Sequence, residues 1–161
     1  CFIELPLLTS MDKPNEQLIT DERYMREALK QANMALYAGE VPIGAVIVCD
    51  GKIIAKGFNQ TQTLNDVTAH AEMIAFTAAA SYLNGKYLLG CTLYVTIEPC
   101  VMCAGAAYWT QIDRVVVGAP DEKRGFQKIG NLLHPKTEIS IGILAVDCSK
   151  IVKDFFLKKR N

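Results

Sequence analysis

The spacing of apolar residues predicts a helix near the start of the chain. One helical face is formed by apolar residues at regular intervals, namely Met25, Ala28, Leu29, Ala32 and Leu36. Thr20 is suited to cap this helix, and Gly39 is suited to end it. We therefore expect the first helix to begin at Thr20. Residues 1–19 show no periodicity, and we expect them to form a loose extension.

Short runs rich in β-branched residues predict the strands of a sheet. Residues 43–49 and 52–58 flank Asp50-Gly51, a dipeptide typical of a tight hairpin turn. A later run contains three consecutive valines, which is typical of a strand that is buried on both faces. The remaining predicted strands are 92–97, 114–118 and 138–141. The three valines belong to the strand 114–118.

Helical patterns separate these strands and predict the fold class. They cover residues 69–84, residues from 99 to about 110, and residues 143–159. The resulting order, α-β-β-α-β-α-β-β-α, predicts a three-layer α/β/α sandwich with a mixed sheet of about five strands. The hairpin makes one pair antiparallel, whereas strands joined by crossover helices are parallel. We expect residues 20–161 to form a single domain.

Composition adds little about partners. Half of the 161 residues are apolar, and 17 basic residues balance 17 acidic ones, so the net charge gives no sign of a polyanion partner. Basic residues are nevertheless concentrated in the last segment, from Lys150 to Asn161. No run of 18 apolar residues occurs, and we expect no membrane span.

The start of the chain and its thiols suggest where the protein works. Because position 1 is not a methionine, we expect Met11 to be the native start and the first ten residues to be non-native. Isolated cysteines in apolar surroundings favour unpaired, buried thiols in a reducing compartment, and hence the cytoplasm. The isolated cysteines are Cys1, Cys49, Cys91 and Cys148.

Two short motifs carry the candidate chemistry. Cys100 and Cys103 follow Pro99 at the predicted start of one helix, and a spacing of three residues places both thiols on the same helical face. We expect Pro99 to open that helix. His70 and Glu72 lie at the start of the preceding helix. One imidazole and two thiolates are three ligands suited to zinc.

The number of ligands indicates the kind of metal site. Structural zinc sites usually have four protein ligands, whereas catalytic sites keep one position open. The only other histidine, His134, lies in a Leu-His-Pro loop, where we expect a satisfied or solvent-facing side chain. Cys-x-x-Cys alone could also be a redox pair or half of a structural site. Combined with His70, it predicts an open, hydrolytic zinc site with one zinc per chain.

Glu72 is the candidate catalytic residue. It lies two positions after a predicted ligand and is not needed as a ligand itself. A carboxyl beside a zinc site can move a proton from water to a leaving group. In isolation, Glu72 could equally be an acid placed in the first helical turn by the helix dipole.

These motifs together give the signature of zinc-dependent nucleobase deaminases. From about Asp21 to Arg160 the chain resembles the bacterial tRNA-specific adenosine deaminases, which have the cytidine-deaminase-like fold. The motifs that carry the resemblance are Gly39-Glu-Val-Pro-Ile-Gly-Ala45, Asn59, Thr68-Ala-His-Ala-Glu-Met73, Thr92 to Ala106, and Arg114-Val-Val-Val-Gly-Ala119 with Asp121 and Lys123. One departure is Val67, where the family usually has proline.

The resemblance implies hydrolysis of adenosine to inosine at the wobble position of a tRNA anticodon, by a homodimer. It implies that His70, Cys100 and Cys103 bind zinc and that Glu72 moves protons. It also implies contacts with the substrate. The implied contact residues are Asn59 for the target nucleotide, Ile43 and Ile97 for the apolar walls of the pocket, and Asp121 and Lys123 for the RNA.

Two alternatives remain open at this point. A deaminase of a free base or nucleoside, such as guanine, cytosine or cytidine, would use the same zinc and glutamate. A zinc-stabilised binding subunit without activity would not need Glu72, which is present. The flanking motifs and the basic carboxyl end favour tRNA over a free base or nucleoside, and the presence of Glu72 argues against the inactive subunit.

Overall fold

The computed structural model describes residues 12–161, with side chains from residue 16. Its elements, in chain order, are α1 (Asp12–Tyr37), β1 (Gly44–Cys49), β2 (Lys52–Phe58), α2 (Ala71–Leu83), β3 (Cys91–Ile97), α3 (Val101–Thr110), β4 (Arg114–Ala119), a 3₁₀ helix (Phe126–Lys128), β5 (Glu138–Ile141) and α4 (Ala145–Arg160).

The five strands form one mixed sheet in the order β2-β1-β3-β4-β5. β1 is antiparallel to both β2 and β3, whereas β3, β4 and β5 are parallel to one another. Because β1 runs opposite to β2, β3 and β4, the ends of those three strands lie at the same edge of the sheet as the start of β1. The predicted three-layer sandwich with a mixed sheet is confirmed.

Helices cover both faces of the sheet. Val115 and Val117 belong to the apolar cluster beneath α2 and α3, and Val116 belongs to the cluster beneath α1 and α4. All three valines are fully buried, as the continuous apolar run predicts. In the part of the chain described, every helix is too short or too polar to cross a membrane.

α1 starts earlier than its apolar spacing suggests. It begins at Asp12, so the predicted start at Thr20 was wrong and residues 12–19 are not a loose extension. The side chains of Leu18 and Ile19 are exposed, which explains why no apolar periodicity marks these turns. The expected non-native segment, residues 1–10, lies outside the described residues.

A buried ion pair fastens α1 to the sheet. The guanidinium of Arg114 donates two hydrogen bonds of 2.7 Å to the two carboxylate oxygens of Asp21. The hydroxyl of Tyr94 donates a third, of 2.9 Å, to the same carboxylate. Although burial alone raises the pKa of Asp21, these donors outweigh it and lower that pKa.

The isolated thiols pack as small apolar groups. Cys91 and Cys148 are fully buried, Cys49 is half-buried, and all three are free. Burial raises the pKa of both Cys91 and Cys148 to about 12, so their thiols stay protonated and unreactive at neutral pH.

Candidate zinc site

The predicted site residues meet at one edge of the sheet because of its topology. The loop after β2 leads into α2, and the end of β3 leads directly into α3. β2 and β3 point the same way, since each is antiparallel to β1. They therefore deliver the starts of α2 and α3 to the same place, as the sequence predicts.

Each of these helices begins at a predicted ligand. His70 is the N-cap residue of α2, and Cys100 is the N-cap residue of α3. The prediction that Pro99 opens α3 was wrong: its carbonyl oxygen accepts a hydrogen bond of 3.0 Å from the N–H of Phe126, outside the helix. The first helical hydrogen bond of α3 is instead accepted by the carbonyl of Cys100.

The three predicted ligands converge. The Nδ1 atom of His70 lies 3.6 Å from the Sγ atom of Cys100 and 3.5 Å from that of Cys103. The three ligand atoms lie within 4.8 Å of one another. Among the residues described, this is the one group of three or more such side chains able to hold a metal ion.

These separations fit zinc. Bond lengths of about 2.3 Å to sulfur and about 2.0–2.1 Å to nitrogen, at a tetrahedral angle, place the two donor atoms about 3.6 Å apart. The observed 3.5 and 3.6 Å agree with this value. Two soft sulfur donors and one imidazole nitrogen also match the ligand preference of zinc.

The protonation of the site favours a cation. The neighbouring Cys103 side chain lowers the pKa of Cys100 to about 4, and His70 contributes in the same direction. The interaction with Cys100 raises the pKa of His70, and together with burial it also raises the pKa of Cys103. These shifts favour a thiolate at Cys100 and a protonated thiol at Cys103. A bound metal cation would replace that proton and favour both thiolates.

Glu72 lies in the first turn of α2, just after His70, and is only 4% exposed. Burial raises the pKa of its carboxyl, and the opposing effects of its own backbone N–H and of His70 do not cancel this. A carboxyl in this setting can hold a proton at a higher pH than an exposed glutamate. Such a group can both accept and donate a proton during catalysis.

His134, the other histidine, takes no part in this cluster. Its Nδ1 atom accepts a hydrogen bond of 3.2 Å from the N–H of Lys136. Its ring packs against Tyr108 with 5.4 Å between ring centroids. The side chain is half-buried and already has partners, as expected for a satisfied histidine.

Asn59, Ile43 and Ile97, the other residues expected around the substrate, lie at the same edge. Asn59 directly follows β2 and is 7% exposed. Its side-chain amide donates a hydrogen bond of 3.4 Å to the carbonyl of Val41 and accepts one of 3.4 Å from the N–H of Thr61. Ile43 directly precedes β1, and Ile97 is the last residue of β3.

Asp121 and Lys123 lie in the loop that follows β4. The carboxylate of Asp121 accepts hydrogen bonds of 3.0 Å from the N–H groups of Lys123 and Arg124, so it closes its own turn. The side chains of Lys123 and Arg124 remain exposed. The structure thus assigns Asp121 a role in shaping the loop and leaves the basic side chains facing outward.

Two buried glutamates to which the sequence motifs assign no role hold the loops around the site. Glu98, 7% exposed, accepts hydrogen bonds from the N–H groups of Asp121 at 3.3 Å and Gln127 at 3.1 Å. Glu40, 1% exposed, binds the loop after β2. The signal available for Glu98 is its place between a buried strand and Pro99-Cys100.

Comparison with known proteins identifies the chemistry of such sites. Residues 18–119 match the family described as the cytidine and deoxycytidylate deaminase zinc-binding region. A tRNA-specific adenosine deaminase of Aquifex aeolicus (strain VF5) is 41% identical over 145 residues, which are 87% of this chain and 96% of that protein.

Solved structures are similar as well. A structure from work on tRNA:A34 deaminases, which edit A to I at the wobble position of transfer RNA, is 39% identical with a TM-score of 0.76; the match covers 80% of this chain and 98% of that one. Guanine deaminase from Bacillus subtilis is 44% identical with a TM-score of 0.59, over 62% of this chain and 64% of that one.

Proposed function

The chain belongs to the tRNA-specific adenosine deaminases within the cytidine and deoxycytidylate deaminase family, and on that premise we propose that it converts adenosine to inosine at the wobble position of a tRNA anticodon. The reaction adds water at C6 of adenine and releases ammonia. The convergence of His70, Cys100 and Cys103 beside the buried carboxyl of Glu72 carries the deaminase chemistry, and the similarity to tRNA-specific adenosine deaminases supports the choice of substrate.

His70, Cys100 and Cys103 would hold one zinc ion, and bound zinc supplies Lewis-acid activation of water at neutral pH. The chain offers three ligands here, which suits a site that keeps one position for water. The two cysteines would bind as thiolates and His70 as a neutral imidazole. The starts of α2 and α3 fix these side chains before substrate arrives.

Glu72 moves the proton. One of its carboxylate oxygens takes a proton from the attacking water and then delivers it to the departing amino group. Its burial supports this role, because a raised pKa brings the acid and base forms closer in energy near neutral pH. This proton transfer is worth roughly 10²–10⁴-fold in rate.

The residues that we expect to surround the target base lie at the same edge of the sheet as the predicted zinc ligands. We assign Asn59 to the target nucleotide, through its side-chain amide, and Ile43 and Ile97 to the apolar walls around the base. An unpaired anticodon base can be splayed out of its stack into such a pocket. Asp121 shapes the adjoining loop, and Lys123 meets the RNA backbone from that loop.

We also assign the exposed face of α3 to a homodimer interface. Val101, Tyr108 and Trp109 lie on this short helix with 45%, 37% and 76% of their surface exposed. Large exposed apolar side chains on one helix are typical of a surface covered by a partner. Sedimentation should give a dimer, and Trp109→Ser should weaken it.

An RNA substrate and unpaired thiols support a cytoplasmic location.

A free-base deaminase is the second candidate, because the similarity to guanine deaminase from Bacillus subtilis favours it. That similarity covers 64% of the guanine deaminase, whereas the match to the tRNA:A34 deaminase covers 98% of its chain at a higher TM-score. The match to the tRNA:A34 deaminase therefore covers a larger share of both chains, and this favours tRNA as the substrate.

The test uses an adenosine-34 anticodon stem-loop, incubated with the protein with and without a zinc chelator. Inosine should form, and the chelator should abolish it. A parallel arm measures ammonia released from guanine, cytosine and cytidine. Rapid ammonia release from a free base without inosine in the stem-loop would replace the proposed function with the second candidate.

A further inference from the structure

Glu40 is a buried carboxylate that the deamination chemistry does not use. It lies between the end of α1 and the start of β1, and only 1% of its surface is exposed. Burying a carboxylate is costly unless hydrogen bonds replace its water. The partners of Glu40 therefore indicate what its burial achieves.

All four partners of this carboxylate belong to one stretch of three residues. One oxygen accepts a hydrogen bond of 2.6 Å from the N–H of Thr63 and another of 2.9 Å from the hydroxyl of Thr63. The other accepts the N–H of Gln62 at 3.2 Å and the hydroxyl of Thr61 at 3.5 Å. Although burial alone raises the pKa of Glu40, these donors lower it, so the carboxylate stays ionised.

The stretch belongs to the loop of residues 59–70, which runs from Asn59 to the zinc ligand His70. Residues 62–68 are exposed, so few apolar contacts hold this part of the loop. The N–H of Gln60 donates to the carbonyl of Ala69 at 3.0 Å and closes the neck of the loop. Glu40 supplies its attachment to the interior.

The same hydrogen bonds reach the amide of Asn59. Thr61, whose hydroxyl binds Glu40, donates its N–H to the side-chain oxygen of Asn59 at 3.4 Å. The side-chain nitrogen of Asn59 donates to the carbonyl of Val41, the residue next to Glu40, at 3.4 Å. One end of the Asn59 amide is thus held by a residue that the Glu40 carboxylate binds, and the other end by the residue that follows Glu40 in the chain.

We propose that Glu40 is a positioning residue for the reaction: its carboxylate clamps Thr61 to Thr63 and thereby orients the Asn59 amide towards the target nucleotide. This inference rests on the proposed function, in which Asn59 contacts the substrate. The hydrogen bonds of the Glu40 carboxylate all go to residues 61–63 and none goes to the three predicted zinc ligands.

The test compares Glu40→Gln with Glu27→Gln, a control that changes a half-buried glutamate on α1 whose carboxylate pairs with the exposed Lys30. The amide of Gln has nearly the same shape but lacks the charge and turns an N–H₂ group towards N–H donors. Because Asn59 binds the nucleotide before and during reaction, its misplacement should raise KM more than it lowers kcat. We expect KM for the anticodon stem-loop to rise about 10- to 100-fold in Glu40→Gln and to stay unchanged in Glu27→Gln.

A double-mutant cycle with Asn59→Ala separates positioning from folding. If Glu40 acts through Asn59, Glu40→Gln should change KM less than about threefold when Asn59 is already alanine. A merely structural role would lower the folded fraction, and with it the apparent kcat, while KM stayed the same. That result would overturn the proposal. So would a double variant whose KM rises by the product of the factors found in the two single variants.

A readout without substrate distinguishes failure of this inference from failure of the proposed function. Amide hydrogen exchange at Gln62 and Thr63 should quicken at least about tenfold in Glu40→Gln. Unchanged exchange would refute the clamp even in an active enzyme. If the wild-type chain forms no inosine, the proposed function fails, and with it the role assigned to Asn59.

Discussion

Replacing Gly57 with alanine should damage the zinc site from a distance. Gly57 lies on β2, where α2 packs closely against it. A Cβ atom built at this position would lie 2.3 Å from the carbonyl oxygen of Ala71, the first residue of α2, and 3.0 Å from the backbone nitrogen of Ala75. Ala71 lies between His70 and Glu72, so the clash acts directly on the turn that carries both.

The size of the clash sets the size of the effect. A carbon atom normally stays about 3.3 Å or more from a carbonyl oxygen, so the start of α2 must retreat by roughly 1 Å. Zinc ligands tolerate displacements of only about 0.2 Å. We therefore expect Gly57→Ala to weaken zinc binding roughly 10- to 100-fold, as disturbed supporting contacts do. Overpacking should also cost about 1–3 kcal/mol, or a fall in Tm of about 2–12 °C.

Gly44→Ala is the matched control. Its Cβ would lie 2.1 Å from the carbonyl oxygen of Ala28 in α1, on the opposite face of the sheet. This variant should lose similar stability and retain zinc. The assay combines thermal unfolding with competition for zinc against a chelator. Equal loss of zinc in both variants would show that general destabilisation, not displacement of His70, explains the effect and would refute the reasoning.

Two further predictions concern the zinc ligands and the buried ion pair. Cys103→Ala should lose bound zinc, measured by metal analysis, whereas Cys148→Ala, which removes another buried thiol, should keep one zinc per chain; full zinc in Cys103→Ala would contradict its role as a ligand. Asp21→Asn should lower the free energy of unfolding by about 3 kcal/mol at pH 7, measured in urea, because Arg114 loses its partner. Since the folded-state pKa of Asp21 lies below its usual 3.8, this stability is complete above about pH 5 and is lost as the pH falls through that lower pKa. The difference between the variant and the wild type should shrink over that range, and a constant difference would show that the charge of Asp21 is not what stabilises the fold.

Apolar runs and local motifs predicted the elements that depend on burial or on short-range chemistry. Val115, Val116 and Val117 supply both apolar clusters, and this is why an uninterrupted run marked β4. His70 and the two cysteines could be paired in advance because each motif opens a helix and parallel strands end at the same edge.

Features that depend on single hydrogen bonds had no such pattern. α1 extends back to Asp12, and its residues 16–20 are exposed, so apolar spacing could not locate its start. Pro99 lies outside α3 because its carbonyl binds the N–H of Phe126, from a loop distant in sequence. Glu98 binds backbone N–H groups, and Glu40 binds backbone N–H groups together with two threonine hydroxyls. Because almost any residue supplies an N–H and hydroxyls are common in loops, the sequence does not identify these partners.

Inosine formation by the zinc-loaded Glu72→Gln variant tests the central claim most directly. Glutamine preserves the shape of the side chain and cannot carry the proton. We predict one zinc per chain, an unchanged circular dichroism spectrum, and inosine formation in an adenosine-34 stem-loop that is slower by roughly 10²–10⁴-fold. Inosine formation at the wild-type rate by the zinc-loaded variant would contradict the account of this site.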